Sequence, residues 1–402
     1  MSEWKKCPIG EVVTLRQGFA INAKSKHYMS KEETSLPLLR IADMKNGTKE
    51  VFVKEEIPQR FIAHPEDIIY TRTGNVGLVF RNNYGVMHNN CFSVTPNDAD
   101  ELSRDFLYYA LQNKTFFDTA NALARGAAQP DLPHTSFNSI EFAYPSLFVQ
   151  ERIAYILSRY DSLIENYQKQ IKLLEEVAQR LYKEWFVDLH FPGHENVKIV
   201  DGVPEGWEKK KLCELFSFVR GKSYTSKELS DEGTIMVNLK NIQSFGGYKS
   251  DVEKHFIGTF KEEQTLMKGD LIMGVTDMTQ ERRLVGSVAL IPDFKETATF
   301  SMDLIKLISF KLPNIYLYCA MRYGDVSRQI APLANGVNVL HLKPEAISNI
   351  EMVVASDSII EKFVSYTSKT IENILSLQSQ LRLLTEARDR LLPKLLSGEI
   401  EV

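Results

Sequence analysis

Cysteine is scarce in this chain. Cys7, Cys91, Cys213 and Cys319 are the 4 cysteines among 402 residues, and no two form a CxxC pair. Such scattering excludes a disulfide framework and a cysteine zinc site. It predicts reduced thiols packed as small apolar groups in a cytoplasmic protein. Long apolar runs are missing too: none approaches the ~18 residues a membrane helix needs, and Met1-Ser-Glu-Trp-Lys-Lys6 lacks the apolar core of a secretory signal. Nor is there an excess of positive charge, since the net charge is −4 and the isoelectric point about 6.1. A free-standing DNA binder ordinarily carries a basic face. Any nucleic-acid role must therefore place its basic residues locally or leave much of the phosphate contact to partner subunits.

Catalytic signatures are absent in the same way. Gly221-Lys-Ser223 has the end of a phosphate-binding loop, but the glycine required five residues earlier is Phe216. His190 and His194 are separated by Phe-Pro-Gly and cannot share a helical face as metal ligands. Glu208-Lys-Lys210 lacks the second acidic group of a nuclease centre, and no Asn-Pro-Pro-aromatic or glycine-rich methyl-donor loop occurs. The expectation is a chain with no cofactor, no metal and no catalytic residue.

What is present is a repeat. Trp4 to Gly18 lines up with Trp207 to Gly221 at an offset of 203, with Glu11 on Glu214. Asp67-Ile-Ile-Tyr70 matches Asp270-Leu-Ile-Met273 at the same offset, and Val76-Gly77 matches Val285-Gly286 at 209. Leu107-Tyr108, Ala124-Arg-Gly126 and Ile140-Glu141 then match Leu317-Tyr318, Ala334-Asn-Gly336 and Ile350-Glu351 at 210. Ordered matches of this number indicate duplication. The added residues fall in one loop, between Thr71 and Val76 in the first copy and Val275 and Val285 in the second. Strand-like runs flank it in both copies, and scaffolds carry function on such loops.

Each copy ends in a long helical pattern. Ile164, Tyr167, Ile171, Leu174, Ala178, Leu181 and Trp185 alternate three and four apart. At an offset of 210 the stripe recurs as Ile374, Leu377, Leu381, Leu384, Arg388, Leu391 and Leu395, broken at Arg388. So narrow an a/d stripe wants another helix, and the other copy supplies it. Ser358-x-x-Glu361 is expected to cap the second helix, Pro192-Gly193 to close the first and Gly398 to follow the second, while Pro393 should loosen the last turn.

With these features the chain resembles the specificity subunit of a type I restriction-modification system over its whole length. The segments carrying the resemblance are Gln150 to Ser158 with Asp161, Leu391 to Ile400, Asp67 to Gly77 and Lys268 to Ile272. The second copy departs at Thr276-Asp277-Met278, where the first has Arg72-Thr73-Gly74. The resemblance implies an α+β chain with two pseudo-symmetric mixed α/β target-recognition domains, separated by two long helices pairing as an antiparallel coiled coil. The expected division is 1–148 and 193–355 for the recognition domains, with 149–192 and 356–402 for the helices. It further implies a non-catalytic subunit that binds a bipartite, asymmetric site on double-stranded DNA. Two adenine methyltransferase subunits would dock on it, joined in the full complex by ATP-dependent restriction subunits.

Base reading needs forked donors and amides at groove edges. Three groups recur in both copies and are the candidate DNA contacts. The variable loops offer Arg72, Thr73 and Asn75, and Thr276, Gln280, Arg282 and Arg283. The ends of apolar runs offer Arg40, Lys45 and Asn46, and Asn238, Lys240 and Asn241. The small-residue loops before the helices offer Arg125 and Gln129, and Asn335 and Asn338. A protein-binding adaptor with a helical strut is the alternative from another class; it predicts no sequence-dependent DNA binding.

Overall fold

The computed structural model describes residues 4–250 and 254–402. Contacts divide the chain into one unit of residues 1–161 with 387–402 and a second of residues 162–386.

In the first unit, Ile68–Thr71 is β-branched and aromatic, and all four of its residues are buried, as suits a central strand. It lies in an antiparallel sheet ordered Val13–Gln17, Cys91–Pro96, Ile68–Thr71, Val79–Phe80. A second sheet contains Leu36–Leu39 running parallel to Gly85–Met87. Lys5–Pro8 pairs with Glu141–Tyr144, at the entrance to the long helix.

The second unit repeats this plan. Its antiparallel sheet is ordered Phe216–Arg220, Leu304–Ser309, Leu271–Gly274, Val288–Leu290. Thr234–Val237 runs parallel to Ala298–Phe300, and Glu208–Lys211 pairs with Glu351–Val354. The repeated glycines explain themselves. A Cβ on Gly18 would lie 2.2 Å from the His88 carbonyl oxygen, and one on Gly221 would lie 2.0 Å from that of Ser301. Two backbones cross there with no room for a side chain.

The first long helix spans Leu147–Tyr182 and ends in a wide turn, Lys183–Val187; the second spans Asp357–Leu396. Because the second begins at Asp357, Ser358 lies inside its first turn and Ser356 precedes it, so the expected cap at Ser358 is misplaced by two residues. The helix carries through Pro393, which sits in the last turn where few backbone bonds are at stake.

Within each unit the two helices lie against each other and run antiparallel. In the first unit, Ile153, Ala154 and Leu157 share a core with Leu395 and Leu396. In the second, Ile171, Ala178, Tyr182 and Trp185 share one with Phe363, Ile371 and Ile374, and the Tyr182 and Phe363 rings are 6.0 Å apart. Of the expected pairing residues, Ile164, Ile171, Ala178 and Ile374 are buried, and Tyr167, Leu174, Leu181, Leu377, Leu381, Leu384 and Leu391 are half-buried.

The stripe is wider than an a/d seam, however. Ile371, Leu375, Gln378 and Arg382 are also buried. Gln378 Nε2 donates to the Tyr248 carbonyl at 3.3 Å, and Arg382 Nη2 to that of Phe294 at 2.8 Å. The second helix thus serves the globular part of its unit as well as the partner helix, which two faces of one cylinder permit.

The seam break at Arg388 also finds its reason. Arg388 Nη1 donates to Asp161 Oδ1 at 3.1 Å, and the other Asp161 oxygen accepts from the Tyr109 hydroxyl at 2.7 Å, with Arg81 Nη2 at 3.5 Å. At the repeat-related positions of the second unit stand Ala178 and Ile371, both in the apolar core. One end of the pairing is polar where its counterpart is apolar. Asp161→Ala leaves the hydroxyl of buried Tyr109 and one donor of half-buried Arg388 without their acceptor and is expected to cost about 1–3 kcal/mol. Asp161→Asn, which keeps an acceptor, should cost less. Urea unfolding of the three proteins checks this, and equal midpoints would contradict it.

Candidate DNA interface

The site is built where the central strand of each antiparallel sheet ends. In the first unit, Ile68–Thr71 runs into the loop bearing Arg72, Thr73 and Asn75. The amides of Arg72 and Thr73 donate to the Asn90 carbonyl at 2.8 and 3.3 Å, and the Gly74 amide to Pro130 at 2.8 Å. Leu132 donates back to the Arg72 carbonyl at 2.9 Å, and Arg125 and Asp131 exchange two 2.8 Å backbone bonds. The variable loop and the small-residue loop, distant in sequence, are therefore one structure. Gly126, at φ +100°, makes the turn between them.

Side chains lock this pair of loops. Arg72 donates through Nε and Nη2 to the two oxygens of Asp131, at 3.1 and 2.6 Å, and through Nη1 to Gln17 Oε1 at 3.2 Å. Thr73 Oγ1 adds a 2.5 Å bond to Asp131, and Gln17 Nε2 donates to the Asn89 carbonyl at 2.7 Å. The hydrogen bond from Arg72 holds the Asp131 carboxyl below the usual carboxylate range, against the opposing effect of burial. Burial, then the Arg72 charge, lower the neighbouring His134, which favours its neutral form. Of the five N–H donors of Arg72, three are engaged, so it is both a clamp and a residue with donors to spare. Asn75, Arg125 and Gln129 are exposed around it.

The second unit has the same backbone frame. Val275 donates to the Asp303 carbonyl at 2.9 Å as Arg72 does to Asn90, Leu342 donates to Val275 at 2.8 Å, and Thr276–Asp277 pairs with Leu340–His341. The structural counterpart of Arg72 is accordingly Val275, and Thr276 stands opposite Thr73, one position away from the match the sequence suggested. Asp131 becomes His341 and Gln17 becomes Arg220, which bonds Glu345 at 2.6 Å. Thr276 is buried, 3.5 Å from His341 Nδ1. The longer loop is closed by Asp277, which accepts from the Thr279 and Leu284 amides at 2.7 and 2.8 Å. Gln280 Nε2 reaches the Val337 carbonyl at 2.9 Å, and Arg283 pairs with Glu281 at 2.6 Å. Arg282 Nη1 donates to Pro332 at 3.3 Å; Asn335 and Asn338 are exposed.

Two of the three candidate groups are thus assembled in each unit. The other group is divided. Arg40 is committed to Asp43 at 2.5 Å and Glu50 at 2.6 Å. Asn238 and Asn241 are buried turn residues: Asn241 Oδ1 accepts from the Asn238 amide at 2.9 Å, and Asn238 Oδ1 from that of Lys240 at 3.0 Å. Lys45, Asn46 and Lys240 remain exposed. Sequence reasoning missed Gln17, Asn89 and Asp131, and Arg220, Asp277 and His341. The signal for two of them was available: Gln17 and Arg220 directly precede the matched glycines.

His190 and His194 lie with rings 5.3 Å apart. Among the described residues no three His, Cys, Asp or Glu side chains form a group able to hold a metal, and no helix is long and apolar enough to cross a membrane.

Two loop-bearing α+β units with one backbone plan, and paired long helices contributing to the core of each, define a duplicated protein. The family model described as the type I restriction modification DNA specificity domain matches residues 1–176. Over 318 residues, 77% of this chain and 72% of the relative, the chain is 28% identical to the type I restriction enzyme MjaIX specificity subunit of Methanocaldococcus jannaschii. It is 22% identical to the MjaVIII specificity subunit of the same organism, covering 100% of this chain and 93% of that one. The fold matches that of the S subunit of the type I restriction-modification system from M. genitalium with a TM-score of 0.60 at 18% identity, covering 98% of this chain and 96% of that chain. The comparisons thus place the similarity of this chain with the specificity subunits of type I restriction-modification systems, at its first 176 residues by the family model and over most or all of its length by the relatives.

Asp131→Asn weakens the lock on the first loop pair. A carboxyl held low in the folded state contributes stability above its unfolded pKa and loses it as pH falls through the folded value. Asp131→Asn should therefore melt below wild type at neutral pH, with the gap closing as the pH drops below about 4. Thermal scans between these conditions check it, and a gap that does not narrow would contradict it.

Proposed function

We propose that the two units read the two halves of a split, asymmetric DNA site, and that the paired long helices set the distance between the half-sites. The recognition parts are residues 1–148 and 193–355, and the spacer parts 149–192 and 356–402. One observation carries this reading. A single backbone frame presents Arg72, Asp131 and Gln17 in one unit and Val275, His341 and Arg220 in the other. Identical frames with different side chains suit two readers of different half-sites. Helices of 36 and 40 residues are on the order of 54 and 60 Å long, enough to separate half-sites by more than one DNA turn of about 34 Å.

Duplication gives two equivalent docking places, so two methyltransferase subunits bind the subunit in like fashion and the ATP-dependent restriction subunits join them in the complete assembly. The net charge of −4 fits this division of labour, with partners neutralising much of the phosphate. Arg72, Thr73, Asn75, Arg125 and Gln129 form the reading edge of one unit. Gln280, Arg283, Asn335 and Asn338 form that of the other, Arg282 is a DNA contact beside them, and Lys45, Asn46 and Lys240 are flanking phosphate contacts.

The test is methylation by the matching methyltransferase subunits with and without this chain. Modification of a split site only when the chain is present supports the reading, and the same pattern from the methyltransferase alone overturns it. Arg72→Ala should relax discrimination in one half-site by about 1–3 kcal/mol and leave the other half unchanged. Equal loss at both halves would contradict the assignment of one unit to one half-site.

A further inference from the structure

A second basic feature lies in the second unit, beside the longer loop. Residues 281–283 of that loop, the two short helices carrying Arg322 and Arg328, and the end of the first long helix at Gln179 and Lys183 enclose a cleft of about 660 Å³. Sorting its charges shows which are spent. Arg322 is held by Glu175 through bonds of 2.8 and 3.0 Å, and Arg283 by Glu281. Lys183 and Arg328 have no carboxylate within 4.0 Å among the described residues. Arg282 Nε is buried with no acceptor, and the residue sits at φ +54°, a left-handed conformation that a non-glycine residue rarely adopts. A buried cationic donor without an acceptor is costly until a ligand supplies one.

The feature does not belong to the shared frame. At the repeat-related positions of the first unit, Lys183 is replaced by Pro393 and Arg328 by Asp118, which pairs with Lys114 at 2.7 Å. Framework chemistry would recur; this does not.

We infer that the cleft formed by Lys183, Arg282 and Arg328 binds a phosphate of the DNA backbone, a contact blind to sequence and beside the base-reading loop. This rests on the recognition reading above, because the same loop that lines the cleft is the one assigned to the second half-site. The ligand's chemistry follows from the donors: three cations without acidic partners, in a space wide enough for a phosphodiester and its sugars.

The experiment compares the wild-type complex with its methyltransferase subunits and the complex carrying Lys183→Ala with Arg328→Ala. Affinity is measured for a cognate duplex and for one with both half-sites scrambled, from about 50 to 300 mM salt. The expected result is a salt dependence shallower by about 1–2 in log–log slope. Affinity for both duplexes should fall together, and their ratio should hold. Lys183→Arg with Arg328→Lys should restore the slope, and this separates lost charge from lost folding.

An unchanged slope overturns the inference, and so does a loss confined to the cognate duplex. A melting shift with inorganic phosphate or a mononucleotide that the double variant abolishes, with the DNA slope unmoved, assigns the cleft to a free phosphate ligand and overturns it as well. Binding of an acidic peptide with no effect on DNA does the same for a protein partner. If the wild-type complex fails to prefer its cognate duplex, the recognition reading fails, while the slope on scrambled DNA still decides the cleft.

Discussion

The antiparallel packing of two long helices is the constraint on which the rest of this molecule depends. Each helix gives one part of its length to the core of one unit and the other part to the core of the second: Ile153, Ala154 and Leu157, then Ile171, Ala178 and Tyr182, along the first helix. The second helix does the same in reverse, with Phe363, Ile371 and Ile374, then Leu395 and Leu396. Neither unit closes its core without residues from both helices. In the first unit, residues remote in sequence, Ile9 and Leu395 among them, are built into one core.

On that base, each unit solves the same local problem with the same backbone. A central strand must end, and the loop after it must be held open toward solvent. Carbonyl groups at Asn90 and Asp303, and the hairpins ending at Asp131 and His341, take up the loop's amides, so the loops are ordered without help from a ligand. The side chains fixed on the frame are then free to differ. In the first unit a bidentate Arg72–Asp131 pair locks the loops; in the second, Asp277 closes its own longer loop and the counterpart of Arg72 is apolar. A stable frame with exchangeable side chains lets one fold present two different loop surfaces.

The two units also differ where they need not. The Asp161–Arg388 pair of the first unit corresponds to Ile371 and Ala178 in the second, and at the repeat offset of 210 the Arg322–Glu175 pair of the second corresponds to Gln112 and Thr385. Exchange of halves would set a carboxylate against an alanine and an arginine against an isoleucine, and such mismatched partners favour the single observed pairing.

Duplication, the long helices, the strands around residues 68–71 and 271–274, and the variable loop between them were all legible in the sequence. Each rests on local information: repeated spacing, period and glycine position, and steric rules act on these within a few residues. Three matters were decided by tertiary structure alone. Nothing local says that the loop at 72–75 closes against residues 125–131, because backbone bonds between distant segments leave no periodic mark. Nothing local separates Asn241, fully buried in a turn, from Asn335, exposed on a rim, since the same amide suits both places. And the return of residues 387–402 to the first unit follows from helix direction, which the heptad stripe leaves open: an apolar face requires a partner, and only packing in three dimensions settles which partner and which way it runs.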